Sequence, residues 1–194
     1  MSNQIKTRKE QILNSALEII SEEGVKKLTM KKIASRIGIS DAALYRHFQN
    51  KQTLMKAMIE TVGDKLVTKI NLAVRDIDNP VEKLNAVLHV HLTYLEKNRG
   101  IPRVIFSDEV HQNNPILRNS VLKIVNNYMD LIRGFLLQAK KAKRVKKNID
   151  IEASATAFLG LLQATALLWS LSGFGFPVRA KAPALWRVIS DMLH

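Results

Sequence analysis

The 194-residue chain contains no cysteine. That excludes a disulfide framework, a zinc–thiolate centre and a thiol nucleophile. Acidic residues are scarce: 17 Asp and Glu stand against 30 Lys and Arg, for a net charge of +13. Such an excess favours a polyanionic partner, either nucleic acid or an anionic membrane surface, over a merely soluble basic protein. Sustained strand-type alternation is missing. So are a nucleophile elbow, a zincin helix, a P-loop and a dinucleotide fingerprint, so neither an enzyme nor a cofactor is expected. The opening MSNQIKTRKEQIL is charged and has no apolar stretch of the signal-peptide kind, which makes a cytoplasmic location the expectation. Internal repeats and low-complexity linkers are also absent.

One apolar run is long enough to cross a bilayer, since residues 153–178 carry no charge. Ser154, Thr156, Gln163, Thr165, Ser170 and Ser172 punctuate it, and SGFGFP breaks its end. A buried helix at a subunit interface explains the run better than a membrane span, and no membrane partner is expected.

What is present reads as helix throughout. Thr7 and Glu10 form a capping box before an apolar stripe at Ile12, Leu13, Ala16, Leu17, Ile19 and Ile20, which Gly24 can stop. Thr29 caps a second helix with Met30, Ile33, Ala34 and Ile37 inward, and Ser40 caps a short third one through about Phe48. Asn50 caps a long fourth helix with Leu54, Met58, Val62, Leu66 and Ile70 at spacings of four. Asn79-Pro80, Pro102, Asn114-Pro115, Asp150 and Pro183 open five more. The first 50 residues are too few to bury much core alone, so they are expected to lean on the fourth helix. The predicted organisation is a DNA-reading part over 1–50 and a helical part over 51–194.

The chemistry concentrates in TMKKIASRIGISDAALYRHF, Thr29 to Phe48. Two helices joined by Gly38-Ile39-Ser40 form a helix-turn-helix. Gly38 permits the positive φ of the sharp turn. Ile33, Ile37, Ile39 and Leu44 are expected inward, and Ala34, Ala42 and Ala43 are small enough for close approach by helix or DNA. The third helix would enter the major groove by its N-terminal end. Tyr45, Arg46 and His47 then fall a turn later, where the groove wall is phosphate. Phe48 turns back to close the core. Lys51 at the start of the next helix makes another phosphate anchor, beside free N–H groups.

These residues carry a resemblance. The pattern T-x-x-x-I-A-x-x-x-G-I-S-x-x-A-L-Y-x-H-F-x-x-K-x-x-L, from Thr29 to Leu54, resembles the DNA-binding domain of the TetR family of bacterial repressors. The similarity extends over about Lys6 to Leu66. It implies an all-α homodimer with a C-terminal regulatory domain, a four-helix dimer interface built from the last two long helices, and a small ligand among the middle helices. It also implies phosphate contacts for Tyr45, His47, Lys51 and Thr29, and groove-facing positions for Ser40, Asp41, Ala42 and Ala43. The family often has glycine where Ala43 stands and a basic residue near Asp41. Asp41 would accept from cytosine amino groups or complement the helix dipole. DAALYRHF also resembles a nucleoid-occlusion member of the family, which couples DNA binding to cell division.

The remaining candidates are plainer. Tyr94, Phe106, Tyr128, Met129, Phe135, Gln163 and Trp169 are candidates for a ligand cavity or for core. Leu161, Leu162, Leu168, Trp169 and Trp186 are candidates for the dimer interface or core. Lys140 to Lys147 could touch DNA or acidic lipid, but is read first as the solvated end of one helix and the loop before the next. His89 and His91 point to opposite sides of a helix, one to the surface and one to the core, and make a poor metal pair. Asp108, Glu109 and His111 bind a cationic effector or simply cap their helix. Together these readings predict a repressor that holds a pseudo-palindromic operator and is released by a hydrophobic or amphipathic molecule, with the fourth helix as the lever. The alternative is a DNA-bound regulator of cell division that acts through a protein partner.

Overall fold

The computed structural model describes residues 7–112 and 114–194. Lys6, where the family resemblance begins, lies outside them. Among the described residues there are ten α-helices, two short 3-10 turns and no strand. The helices are α1 (Arg8–Glu23), α2 (Met30–Arg36), α3 (Asp41–His47), α4 (Lys51–Val74), α5 (Pro80–Lys97), α6 (Gly100–Ile105), α7 (Asp108–His111), α8 (Pro115–Lys141), α9 (Ile151–Leu171) and α10 (Ala182–Leu193).

Local capping accounts for most starts. Glu10 N–H donates to Thr7 Oγ1 at 3.2 Å while Thr7 N–H donates to Glu10 Oε2 at 3.1 Å, which satisfies two end groups reciprocally. Thr29, Ser40, Asn50 and Asp150 each accept an N–H three residues on. Two starts differ from the expected ones. α6 begins at Gly100 rather than Pro102, and α10 at Ala182 rather than Pro183. Both prolines still lie in the first turn, where a missing N–H costs no intrahelical bond. The expected sixth helix is also divided, because the chain turns at Phe106-Ser107 and Ser107 Oγ donates back to Val104 O at 2.7 Å.

The chain forms two compact units. One comprises the residues up to Val62 together with Asn98–Val121. Its core gathers Ile12, Ala16, Ile19 and Ile20 of α1, Ile33 and Ala34 of α2, Leu44 of α3, and Leu54, Met55 and Met58 of α4, all buried. Ile37 and Ile39, expected inward, are only half-buried at the turn. α6 lies directly on α1, and a Cβ added at Gly100 would stand 2.5 Å from the Leu17 carbonyl oxygen. Only glycine permits that approach, and Arg103 Nη1 then donates to Ile20 O at 3.3 Å.

The other unit comprises Gly63–Lys97 and Leu122–His194. Ile70, Leu84, Leu88, Leu92, Ile132, Leu136, Phe158, Leu162, Trp169 and Ile189 are buried in it. Its α8–α9 turn is fixed by Lys146 N–H, which donates to Leu193 O at 3.0 Å and ties the turn to the end of α10.

Candidate nucleic-acid interface

The reading head is built from its turn outward. Gly38 adopts φ +67, which an L side chain rarely tolerates, and Ile39 N–H donates to Ala34 O at 3.0 Å to close the corner. α2 is anchored to α1 by two ion pairs. Lys32 Nζ pairs with Glu23, and Arg36 Nη2 lies 2.5 Å from Glu22 Oε2. The hydrogen bond between Arg36 and Glu22 holds the carboxyl below its usual range and the guanidinium above its own. With α2 fixed, Leu44 and Phe48 bury one side of α3. Lys9 Nζ lies 5.7 Å from the centre of the Phe48 ring.

That leaves Asp41, Ala42, Tyr45, Arg46 and His47 exposed, with Ala43 half-buried. Of the small residues, Ala34 is buried where helix meets helix, and Ala42 is free to face a ligand surface. Thr29 and Ser40 are exposed, each with its hydroxyl oxygen accepting the first-turn N–H of its helix. Both hydroxyls can still donate. A short helix with a small leading edge and a tyrosine, guanidinium and imidazole a turn later can read a groove and grip its wall. Lys51 is placed differently. It is half-buried, with Nζ 3.1 Å from Glu109 Oε1 and 3.5 Å from Val25 O. Sequence reasoning missed this pair, because its partners are 58 positions apart and no local pattern links them.

The ligand-cavity candidates are not all brought together. Phe106 is exposed and belongs to the first unit, whereas Tyr94, Tyr128, Met129, Phe135, Gln163 and Trp169 belong to the second. Of those, Tyr94, Tyr128, Met129 and Trp169 are buried, and Phe135 and Gln163 half-buried. Burial pushes the Tyr94 hydroxyl up to about 12 and raises that of Tyr128 as well. His89 is exposed and His91 buried, as the helical period predicts. His91 Nδ1 is 3.0 Å from the Tyr128 hydroxyl, and burial lowers its pKa to about 4, so the ring is neutral at pH 7. The Trp169 indole N–H donates to Phe176 O at 2.8 Å.

Among the interface candidates, Leu162 and Trp169 are fully buried within the chain's own core, Leu161 and Trp186 half-buried, and Leu168 exposed. α9 nevertheless leaves a stripe free at helical spacing: Ala153, Thr156, Gly160, Ala164, Leu167, Leu168 and Leu171. On α10, Ala184 and Val188 are exposed one turn apart. α9 is long and apolar enough to cross a membrane by length and composition alone. Asp150 and Glu152 stand at its start, with Glu152 on Arg133 at 2.8 Å. The Lys140 to Lys147 cations are all exposed at the α8–α9 turn, and Lys140 Nζ donates to Ile149 O.

An all-helical chain that opens on a helix-turn-helix with a polar, cation-bearing reading helix is of the class of DNA-binding regulators. Residues 12–58 match bacterial regulatory proteins of the tetR family, and residues 59–191 match the C-terminal region of YsiA-like proteins. The chain belongs to the TetR family and is a DNA-binding regulator of transcription. It is 27% identical over 187 residues to the nucleoid occlusion factor SlmA of Vibrio campbellii, covering 96% of this chain and 95% of that protein. The fold resembles the fatty acid degradation regulator FadR from Bacillus halodurans, with TM-score 0.86 at 21% identity over 96% and 97% of the two chains. FadR from Bacillus subtilis, solved with stearoyl-CoA, gives TM-score 0.83 at 21% identity over 95% and 98%. At that identity the two structures speak to fold alone.

Proposed function

We propose that the protein is a homodimeric repressor that holds a pseudo-palindromic operator and leaves it when an amphipathic small molecule binds. The observation that carries this reading is the exposed face of α3, where Asp41, Ala42, Tyr45, Arg46 and His47 lie free while Leu44 and Phe48 fix the helix beneath them. Tyr45, Arg46, His47, Lys51 and Thr29 take backbone phosphates, and Ser40, Asp41, Ala42 and Ala43 face base edges. One short helix reaches few bases, so two heads related by a twofold axis read half-sites about one helical turn, or a multiple, apart. The free stripe on α9, joined by Ala184 and Val188 of α10, is the surface the second copy covers.

The effector class follows from the interior of the second unit, which is apolar apart from a few polar groups such as the His91–Tyr128 pair. The stearoyl-CoA bound to the structurally similar Bacillus subtilis regulator makes long-chain acyl thioesters the first ligands to try. α4 is continuous through residues of both units and is the element by which ligand and DNA affinities are linked. The setting is the cytoplasm, on the nucleoid.

A second reading is favoured by the similarity to SlmA over nearly the whole chain. In it the DNA complex recruits a protein that controls cell division. Binding sites selected from random DNA, followed by a release screen with acyl-CoA, separate the two. Symmetrical sites and ligand release are the expected outcome. Asymmetric single half-sites refute the twofold reading, and symmetrical sites with no releasing ligand but a recruited protein select the second reading.

A further inference from the structure

Lys51 stands at the first position of α4, where a cation beside free N–H groups suits a phosphate. In the structure its ammonium is already engaged, 3.1 Å from Glu109 Oε1, with the two side chains 30% and 35% exposed. A pair that is two-thirds shielded is screened less by salt than a fully solvated one. Glu109 does not reach Lys51 from a loose loop. At one end of α7 the chain is turned by Ser107 Oγ on Val104 O, and His111 Nε2 lies 2.8 Å from Ile105 O. Beyond its other end, Gln52 Nε2, next to Lys51 on α4, donates to Asn114 Oδ1 at 2.9 Å. The same oxygen accepts the first-turn N–H groups of Ile116 and Leu117. The chain is therefore tied down on either side of the helix that carries Glu109, and all of these groups lie within the first compact unit.

We propose that Glu109 competes with the DNA backbone for Lys51 and so sets the affinity of the reading head. DNA binding must exchange a carboxylate for a phosphate at this ammonium, and the exchange subtracts from what Lys51 would otherwise contribute. A shift of α7 away from α4 would free the cation and tighten binding, and a firmer Gln52–Asn114 contact would weaken it. The inference rests on the reading of Lys51 as a phosphate contact.

The test uses the full chain and a mixed-sequence DNA duplex titrated across a range of salt. E109Q keeps the shape and removes the charge. It should bind about two- to fivefold tighter than wild type, the range of an exposed ion pair. Its plot of log affinity against log salt should keep the wild-type slope, since Lys51 neutralises one phosphate in both proteins once the carboxylate is displaced. E109D keeps the charge and should bind as wild type, which separates lost charge from a disturbed α7. In a K51A background, E109Q should change nothing. Equal affinity for wild type and E109Q overturns the proposal. So does an equal tightening with and without Lys51, since that is a general charge effect. If the wild type binds no duplex at all, the DNA reading of Lys51 falls as well; binding with a silent E109Q removes only the competition.

Discussion

Leu168→Glu is the most direct probe of assembly. Leu168 is 63% exposed on α9 and Leu171, one turn on, 75%. Fully burying a leucine side chain contributes about 1.5–3 kcal/mol, so covering the exposed part of Leu168 contributes about 1–2 kcal/mol. A twofold contact buries the residue once in each protomer, which doubles this to about 2–4 kcal/mol. Removing it raises the dimer dissociation constant between about 30-fold and about 1,000-fold, and the desolvation of two buried carboxylates adds to that. Leu72→Glu is the control, because Leu72 is 64% exposed and stands on α4 rather than on α9 or α10. Sedimentation equilibrium from nanomolar to micromolar protein should show a monomer for Leu168→Glu and a dimer for Leu72→Glu and wild type. Helical circular dichroism should persist in all three, since neither leucine supports the core of its own chain. A dimer that survives Leu168→Glu unchanged, or one that both substitutions weaken alike, refutes this face as the interface.

Tyr45→Phe and Lys51→Ala should each weaken binding to all DNA sequences about equally, and Lys51→Ala should lower the salt slope by up to about one unit; an affinity loss confined to one sequence would assign these residues to base reading instead. The pH dependence of stability should contain a term from His91. Its folded pKa of about 4 lies below the ordinary 6.5, so between those values the unfolded chain binds a proton that the folded one does not. Stability is thus fully present above pH 6.5 and is lost as pH falls, by about 3 kcal/mol at pH 4 at 1.36 kcal/mol per pH unit. Urea unfolding of wild type and His91→Gln between pH 7 and pH 4.5 checks this, and parallel profiles would sink it.

The parts of the fold that are local in sequence are legible there. A cap is a contact over three residues, so Thr7, Thr29, Ser40, Asn50 and Asp150 announce their helices. The helical period alone separates buried His91 from exposed His89. What depends on a distant partner is not legible. The break between α6 and α7 falls inside a stretch with no strong breaker. The start of α6 at Gly100 depends on how closely its backbone meets Leu17, a contact across 83 positions. Type and spacing mark the aromatic candidates for a cavity, and spacing cannot assign Phe106 and Tyr128 to different compact units.

The same distinction bears on charge. The excess of +13 points to a polyanion but does not say which cations are available to it. In α2 and α4 several are committed: Lys32 to Glu23, Arg36 to Glu22, Lys56 to Glu60 and Lys51 to Glu109. The first two pairs tie α2 to α1 at the surface, beside the buried Ile33 and Ala34 that hold α2 in the core. Recruiting either cation to a phosphate would first break its ion pair. An exposed cation on α3 can meet DNA without breaking either pair. Arg46 is such a cation, and Leu44 and Phe48 hold α3 from the opposite side. Affinity in this head should therefore depend on how the acidic residues are placed as well as on the number of basic ones, and Glu109, paired with the Lys51 that is expected on phosphate, is the acid to test.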